Sequence, residues 1–541
     1  MNGRKSLPLA CLACLAALVG SCIPQQTGES NYIGPGTFRA TTAPATTHAA
    51  TQPTTAPVVT GPAGTQPAAG ALELSVQRSI LMGLANNRSL AVERLAPDIR
   101  RTFEAQERAA FDPDVTAEVS AGRAKARVAG GGESIADAVS GSAAVGTFLP
   151  TGTTLSAGVD IDLLDSSLYS DDLAGTRLGV SATQALLRGS SVRANLARLN
   201  QARIDTRASQ YELRGFAEAL TAQIEETYWN CTLAARRIDI LTNSLALAEQ
   251  QEAETKERIK IGRLAETELA AAQAEVALRR EDLINARSAL AQVRLLLLRL
   301  LNPTGPLPWD RTLVLLNPPA EPQVRLADVE QHVAVALRMR PDLNQARLAV
   351  QRDELEVVRT ADGLLPRLDL FLTLGKTGYA KSVGRTFERF DEDHYDVLAG
   401  ARFEQPPLNR EARALHGRAV LTRRQAVAAV ENLAQLVEQD VRSAYIEVQR
   451  AREQIVATAV TRRFQEEKLR AETEKFKVGK STSLLVGQAQ RDLLASQIAE
   501  IEALVTFLKD MVELHRLEGS LLERRGIVAP GRQPATMEAP K

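Results

Sequence analysis

Glu257-Arg-Ile-Lys-Ile-Gly262 recurs downstream, at an offset of 217, as Glu474-Lys-Phe-Lys-Val-Gly479, with each charge kept and each apolar residue exchanged for another apolar one. The same offset places Tyr228 on Tyr445 and Gln273 on Gln490, without gaps. Upstream the register differs: Leu84 to Gly122 falls on Leu337 to Gly375 at an offset of 253. There Leu90 meets Leu343, Pro113 meets Pro366, and Val115, Ala117 and Val119 meet Leu368, Leu370 and Leu372. The drop from 253 to 217 leaves a surplus of 36 in the first copy, between Gly122 and its long helix. Units this long indicate a duplicated domain, not a solenoid of short repeats.

Each copy reads in one order: a short helix (about Leu72 to Arg108; Leu326 to Ala361), a strand region, then two long helices. From Ala194 to Lys260 there is no proline and one glycine, Gly215. At about 1.5 Å per residue that helix reaches roughly 100 Å. Leu220, Ile224, Tyr228, Cys231, Ala235, Ile238, Leu241, Leu245 and Ala248 run from position 220 to position 248 in eight steps. A mean step of 3.5 is the coiled-coil period. A second helix returns from Glu266 to Leu301 and stops before Asn302-Pro303. Copy two repeats the hairpin, with a helix up to Lys477, a turn at Gly479, and a return from Ser483 to Leu522.

Strict alternation marks strands at Val115 to Gly122, Leu155 to Ile161 and Leu178 to Ala182 in copy one. Pro150-Thr-Gly152 is a turn between them, and copy two offers Leu368 to Leu374 and Tyr395 to Phe403. Two strand pairs cannot close a barrel, and a bilayer tolerates no open sheet edge. Strands that enter a membrane must therefore be pooled between chains, since the smallest membrane barrels have about eight. No apolar run after the first twenty-two residues is long enough for a helical span.

Arg4 and Lys5 precede an apolar stretch from Leu7 to Val19, which has the pattern of an export signal (1–21). Its ending, Val19-Gly20-Ser21-Cys22, resembles a bacterial lipobox in which Cys22 becomes the acylated first residue. Ile23 stands where inner-membrane retention patterns use Asp, so the expected destination is the outer membrane. Between Ala40 and Gly70 every position except His48, Gln52, Val58, Val59 and Gln66 is Ala, Thr, Pro or Gly, which predicts a flexible linker over 22–70. Repeats are assigned to 71–320 and 321–525, and a disordered tail to 526–541. Among 541 residues, 65 Lys+Arg balance 65 Asp+Glu, which speaks against a nucleic-acid partner. Hydrophobic residues reach 44% but aromatics only 4%, so the apolar mass is Ala, Leu and Val, the composition of long helices. Five histidines at no ligand spacing, with no phosphate-binding glycine motif and no paired nucleophile and base, predict neither an enzyme, a metal site nor a cofactor.

Helix, strands and long hairpin, written twice behind a lipobox, resemble the outer-membrane efflux protein (TolC) family. Lys260-Ile-Gly-Arg-Leu-Ala-Glu-Thr267 and Lys477-Val-Gly-Lys-Ser-Thr482 are similar to its hairpin-tip motif. Gln184-Ala-Leu-Leu-Arg-Gly189 and Gln405-Pro-Pro-Leu-Asn409 resemble the element leading each second strand into its helix. The resemblance implies a mainly α fold with β. It implies a homotrimer whose four strands per chain form a 12-stranded outer-membrane barrel, continuing into a periplasmic α-helical barrel. It implies a passive exit duct for efflux or type I secretion, with a membrane-fusion adaptor and an inner-membrane pump (RND or ABC type) as partners.

For the tips, the resemblance assigns adaptor docking to Ile261, Gly262, Arg263, Val478, Gly479 and Lys480, and gating to Glu266, Thr267, Glu268, Ser481 and Thr482. Glycine ending a helix has a plainer explanation as a left-handed cap. Tyr379, Phe387, Phe390, Tyr395 and Phe403, with Phe148 and Tyr169, are the candidates for an aromatic girdle. Asp391-Glu-Asp-His394 is expected in an outer loop. The rival reading is a lipid-anchored coiled-coil structural protein with soluble strands.

Overall fold

A computed structural model describes residues 39–40, 72–127, 133–166, 173–262, 265–303, 309, 311–321, 326–531 and 533–537. Cys22, nearly all of the linker, Tyr169 and Arg263 lie outside the described residues.

In copy one, α1 (Val76–Asn86), α2 (Arg88–Glu93) and α3 (Ala96–Arg108) replace the single short helix that the sequence predicts. The breaks are local chemistry. Asn87 is extended, and its side chain accepts from Leu90 N at 3.1 Å, starting a new helix instead of continuing the old one. Pro97 opens α3 where its missing N–H costs nothing. Four strands follow, β1 (Asp114–Arg127), β2 (Glu133–Leu149), β3 (Thr153–Ser166) and β4 (Leu173–Ala185). The long hairpin is α4 (Ala197–Lys260) and α5 (Thr267–Leu301). Copy two supplies α6 (Val329–Met339), α7 (Pro341–Asp362), β5 (Arg367–Ala380) and β6 (Tyr395–Glu404). Its hairpin is α8 (Arg410–Lys477) and α9 (Ser483–Leu517).

The long helices carry the heptad seam. Leu220, Ile224, Tyr228, Cys231, Leu241 and Ala248 are buried, and the three intervening seam residues are half-buried. In α8 the buried positions are Ala419, Val430, Val437, Val441, Val448 and Ala451, the last five again near a step of 3.5. The short helices brace the long ones partway along. Ile80, Leu84 and Leu90 pack with Ile224, Tyr228, Leu297 and Leu301, while Val333 and Ala336 pack with Val437, Val441 and Leu514. Each Leu, Ile or Val among them contributes about 1.5–3 kcal/mol when fully buried. Tyr228 also donates to Leu74 O (3.2 Å) and accepts from Asn317 N (3.0 Å), which ties in the parallel pair Leu72–Leu74 and Leu313–Leu315.

The return helices end alike. Asn302 (φ +41°) and Gly519 (φ +67°), which the repeat alignment superposes, both take the left-handed conformation.

Two expectations are corrected here. The strands form one antiparallel six-stranded sheet in the order β1-β2-β3-β4-β5-β6, not two pairs, so four strands per chain and a 12-stranded trimer do not describe it. The surplus of copy one is the added hairpin. The tail is not loose where it is described: Ile527–Val528 pairs with Arg39–Ala40. Farther on, Ala535 N donates to Asn344 Oδ1 (2.8 Å), and Gln351 Nε2 donates to Thr536 O (2.7 Å). These bonds supply the partners that composition alone does not reveal.

Candidate functional site

Because side chains alternate along a strand, the pairing register sorts the sheet into two faces. Val115, Val145, Ala157, Val180, Leu374 and Val397 are consecutive partners in one row across all six strands. One row of the other face is Glu118, Ser142, Asp160, Arg177 and Thr377. Val115, Val180 and Val397 are 55–60% exposed, so this chain leaves the apolar row uncovered. The polar face is cross-linked instead. Arg177 donates to Asp396 (Nη2–Oδ2 2.7 Å) over Gly375 and lies 3.7 Å from Asp160, joining strands of both copies. Gly375 leaves room for this pair, since a Cβ there would overlap the Asp396 carboxylate and come within 2.7 Å of Arg177, so that both side chains would have to shift.

Toward the loops opposite the helices, the apolar face meets charge, with Arg123 paired to Asp137 at 2.6 Å. Seven to nine alternating residues rise roughly 20 Å at the tilt of barrel strands, close to the apolar height of an outer-membrane barrel. Tyr395 and Phe403 bracket this face on β6, as girdle residues do. Tyr379 and Phe148 fall on the opposite, polar face, and Phe148 stacks on Phe111 at 6.0 Å. Asp391 to His394 lies in the β5–β6 connection, where His394 Nδ1 is 3.5 Å from Glu392. Among the described residues no helix is long and apolar enough to cross a membrane, and no group of His, Cys, Asp and Glu could hold a metal ion.

At the opposite end lie the hairpin tips. Lys480 N donates to Lys475 O (2.8 Å) and Gly479 N to Phe476 O (3.1 Å), the paired bonds of a Schellman cap. Gly262 N donates to Ile259 O (2.9 Å) in the same way. Gly262 (φ +71°) and Gly479 (φ +74°) have nothing within 4 Å of a notional Cβ. Ile261 and Val478 are 64% and 69% exposed, so both turns present an apolar side chain. Lys480, Glu266, Thr267 and Thr482 are also exposed.

The remaining gate candidates are already engaged. Ser481 donates to Glu472 Oε2 at 2.8 Å, and the Lys475 ammonium, then this hydroxyl, hold the Glu472 carboxyl below its usual range. Glu268 accepts from Ser483 of the second hairpin. Thr482 caps α9 through a bond from Leu485 N (3.4 Å). The sequence reading missed the clasp around them. Arg491 Nη1 meets Glu275 Oε2 at 2.8 Å, Gln490 Nε2 meets Gln251 Oε1 at 2.6 Å, and Arg258 lies 5.0 Å from the Phe476 ring centre. Which hairpin neighbours which decides these pairs, and the repeat alignment carries no such information.

The profile described as "Outer membrane efflux protein" matches residues 81–303 and 333–520, which covers both copies. The chain belongs to this family. Membership makes it an outer-membrane efflux channel protein and not an enzyme. Solved structures share the fold. CusC, described for transmembrane channel formation, superposes with a TM-score of 0.63 at 17% identity, covering 82% of this chain and 92% of that one. The Campylobacter jejuni CmeC outer membrane channel gives 0.61 at 14%, over 82% and 86%. The open Neisseria gonorrhoeae MtrE outer membrane channel gives 0.57 at 19%, over 86% and 91%. No curated protein matches the sequence.

Proposed function

We propose that this efflux channel is the exit duct of a tripartite assembly, a homotrimer through which an inner-membrane pump and a periplasmic adaptor discharge substrates. The observation that carries this reading is the uncovered apolar sheet face backed by a polar one. A free sheet edge in lipid leaves each unpaired N–H and C=O several kcal/mol out of balance. Closing copies edge to edge removes that cost and turns the polar face into a lumen. A second exposed strip supports packing between copies: Leu436, Ile446, Val456, Val460 and Phe464, all on α8, are 46–65% exposed. A soluble coiled-coil lipoprotein would leave both surfaces in water.

Cys22 is the proposed acyl anchor, a tether additional to the sheet. Ile261, Gly262, Val478, Gly479 and Lys480, with Arg263, are the proposed adaptor contacts, and Glu266, Thr267 and Thr482 the solvent-facing gate positions. Efflux by an RND-type pump and secretion by an ABC-type pump remain the two proposed uses. Extraction tests the membrane reading. Cys22→Ser protein should still require detergent for release, whereas release by salt or carbonate overturns it. Charge reversal at Arg263 and Lys480 together should abolish export and adaptor cross-linking at unchanged abundance, and undiminished export rejects tip docking.

A further inference from the structure

The sheet contains more wall than the resemblance implies, and the surplus is placed with care. β2 and β3 pair with each other from Ala136↔Ser166 to Leu149↔Thr153 and are flanked by β1 and β4 without interruption. Their near turn is built into the base of the sheet. A Cβ on Gly152 (φ +79°) would run into Gly189 O, and Ala185 N donates to Gly152 O at 3.0 Å. Asn195 Nδ2 bonds both Pro150 O (2.8 Å) and Gly189 O (2.7 Å), and Gln184 Nε2 reaches Thr151 O at 3.0 Å. An external flap would need none of these contacts. The hairpin also keeps the two-faced pattern: Val159 and Ile161 continue the apolar side, and Ser156 and Asp160 the polar side.

Direction is preserved as well. Six antiparallel strands leave β1 and β6 running oppositely, so β6 of one copy can pair antiparallel with β1 of the next. We infer that three copies close an 18-stranded wall in which β2 and β3 are full members, making this hairpin the element that sets the gauge of the exit. This rests on the trimeric membrane channel proposed above and deepens it. With strands about 4.8 Å apart and tilted about 40°, 12 strands give a backbone diameter of roughly 24 Å and 18 give roughly 36 Å. The cross-section then increases about twofold, into the range where strand barrels hold an open aqueous channel. The hairpin therefore suits the duct to bulky hydrophilic cargo, matched to a lining of Ser, Thr and Asp.

The test uses the full chain in phosphatidylcholine vesicles, with bimane attached at Val159→Cys on β3, Ser156→Cys on the other face, and Val397→Cys on β6. Leu155→Cys gives a second lipid-side site on β3 should the first variant not insert. Quenching by brominated lipid at Val159 equal to that at Val397, with none at Ser156, supports the inference. Lipid quenching at Val397 while the β3 sites are quenched only by aqueous iodide overturns it and leaves the membrane channel standing. No lipid quenching at any site overturns the channel reading itself. Electron cryomicroscopy of the detergent-extracted protein should count 18 strands around three copies. A 12-stranded rim, from either two or three copies, sinks the inference.

Discussion

The two copies agree closely in their helices and disagree in their sheet. Each has a long helix ending in a left-handed glycine, at Gly262 and Gly479, and a shorter helix returning from it. Copy one contributes four strands and copy two contributes two. A coiled-coil seam must hold its phase over the whole length, so an insertion there would misplace every later contact. A sheet accepts a hairpin at no such cost, provided that the chain re-enters with its direction and faces unchanged. The duplication has therefore diverged where the physics of the element tolerates it.

The largest expected effect sharpens that comparison inside the helices. Arg214 of α4 is fully buried, bonded to Glu218 (3.1 Å), Glu523 (2.7 Å) and Gly519 O (2.8 Å). Its copy-two counterpart, Glu431, is exposed. Arg214→Ala leaves Glu218 buried, and Glu523 half-buried, without their guanidinium partner, and should cost about 3–5 kcal/mol in denaturant titration of the extracted protein, against about 0.5 kcal/mol or less for Glu431→Ala. Equal effects would mean that the copies are not differently loaded.

Next comes the turn that only copy one possesses. Gly152→Ala combines a left-handed strain with a backbone clash and should lower stability by about 2–4 kcal/mol, reducing the detergent-resistant β signal in circular dichroism. A silent substitution would show that the hairpin base is not the fixed joint described above.

A pH effect separates the copies at one aligned position. Leu298 of copy one is buried, and its counterpart in copy two is His515. Burial first, then the Arg524 guanidinium, push His515 down to about 4, against the opposing pull of Glu518. Arg525 and His332 act in the same direction as Arg524. The unfolded chain thus takes up a proton near its ordinary value while the folded one refuses it. Stability from this residue is complete above about pH 6.5 and is lost as pH falls toward 4, by about 3 kcal/mol. His515→Leu, which copies Leu298, should remove that loss. An unchanged gap between variant and wild type from pH 7 to 4.5 would refute the assignment.

The smallest effect is at the tips, where the copies are most alike. Gly262→Ala and Gly479→Ala meet no neighbour within 4 Å, so each should cost only the left-handed strain, about 1 kcal/mol, and the two should match. Unequal melting shifts would show that one tip is held by something the other lacks.

The helical hairpins are readable in the sequence because heptad spacing, glycine caps and a constant offset all point the same way. The sheet is half readable. Leu155 to Ile161 alternates plainly, but β2 is written Glu-Ser-Ile-Ala-Asp-Ala-Val-Ser-Gly-Ser-Ala-Ala-Val-Gly-Thr-Phe-Leu, and its small residues blur the period. The change of offset between the copies gives the size of the insertion without its conformation. At the tips, glycines and exposed apolar residues can be named from sequence, whereas the Ser483–Glu268 and Arg491–Glu275 pairs arise only when the hairpins lie side by side.

Gly152 sits at the helix side of the sheet, where the chain must return after each excursion away from it. A wall built under that rule grows only by whole round trips, and in the proposed threefold ring every round trip is tripled. Its circumference is thus quantised, stepping from 12 to 18 to 24 strands with no sizes between. Evolution within this architecture cannot fine-tune the outlet by single strands, and finer discrimination must be made by loops and side chains.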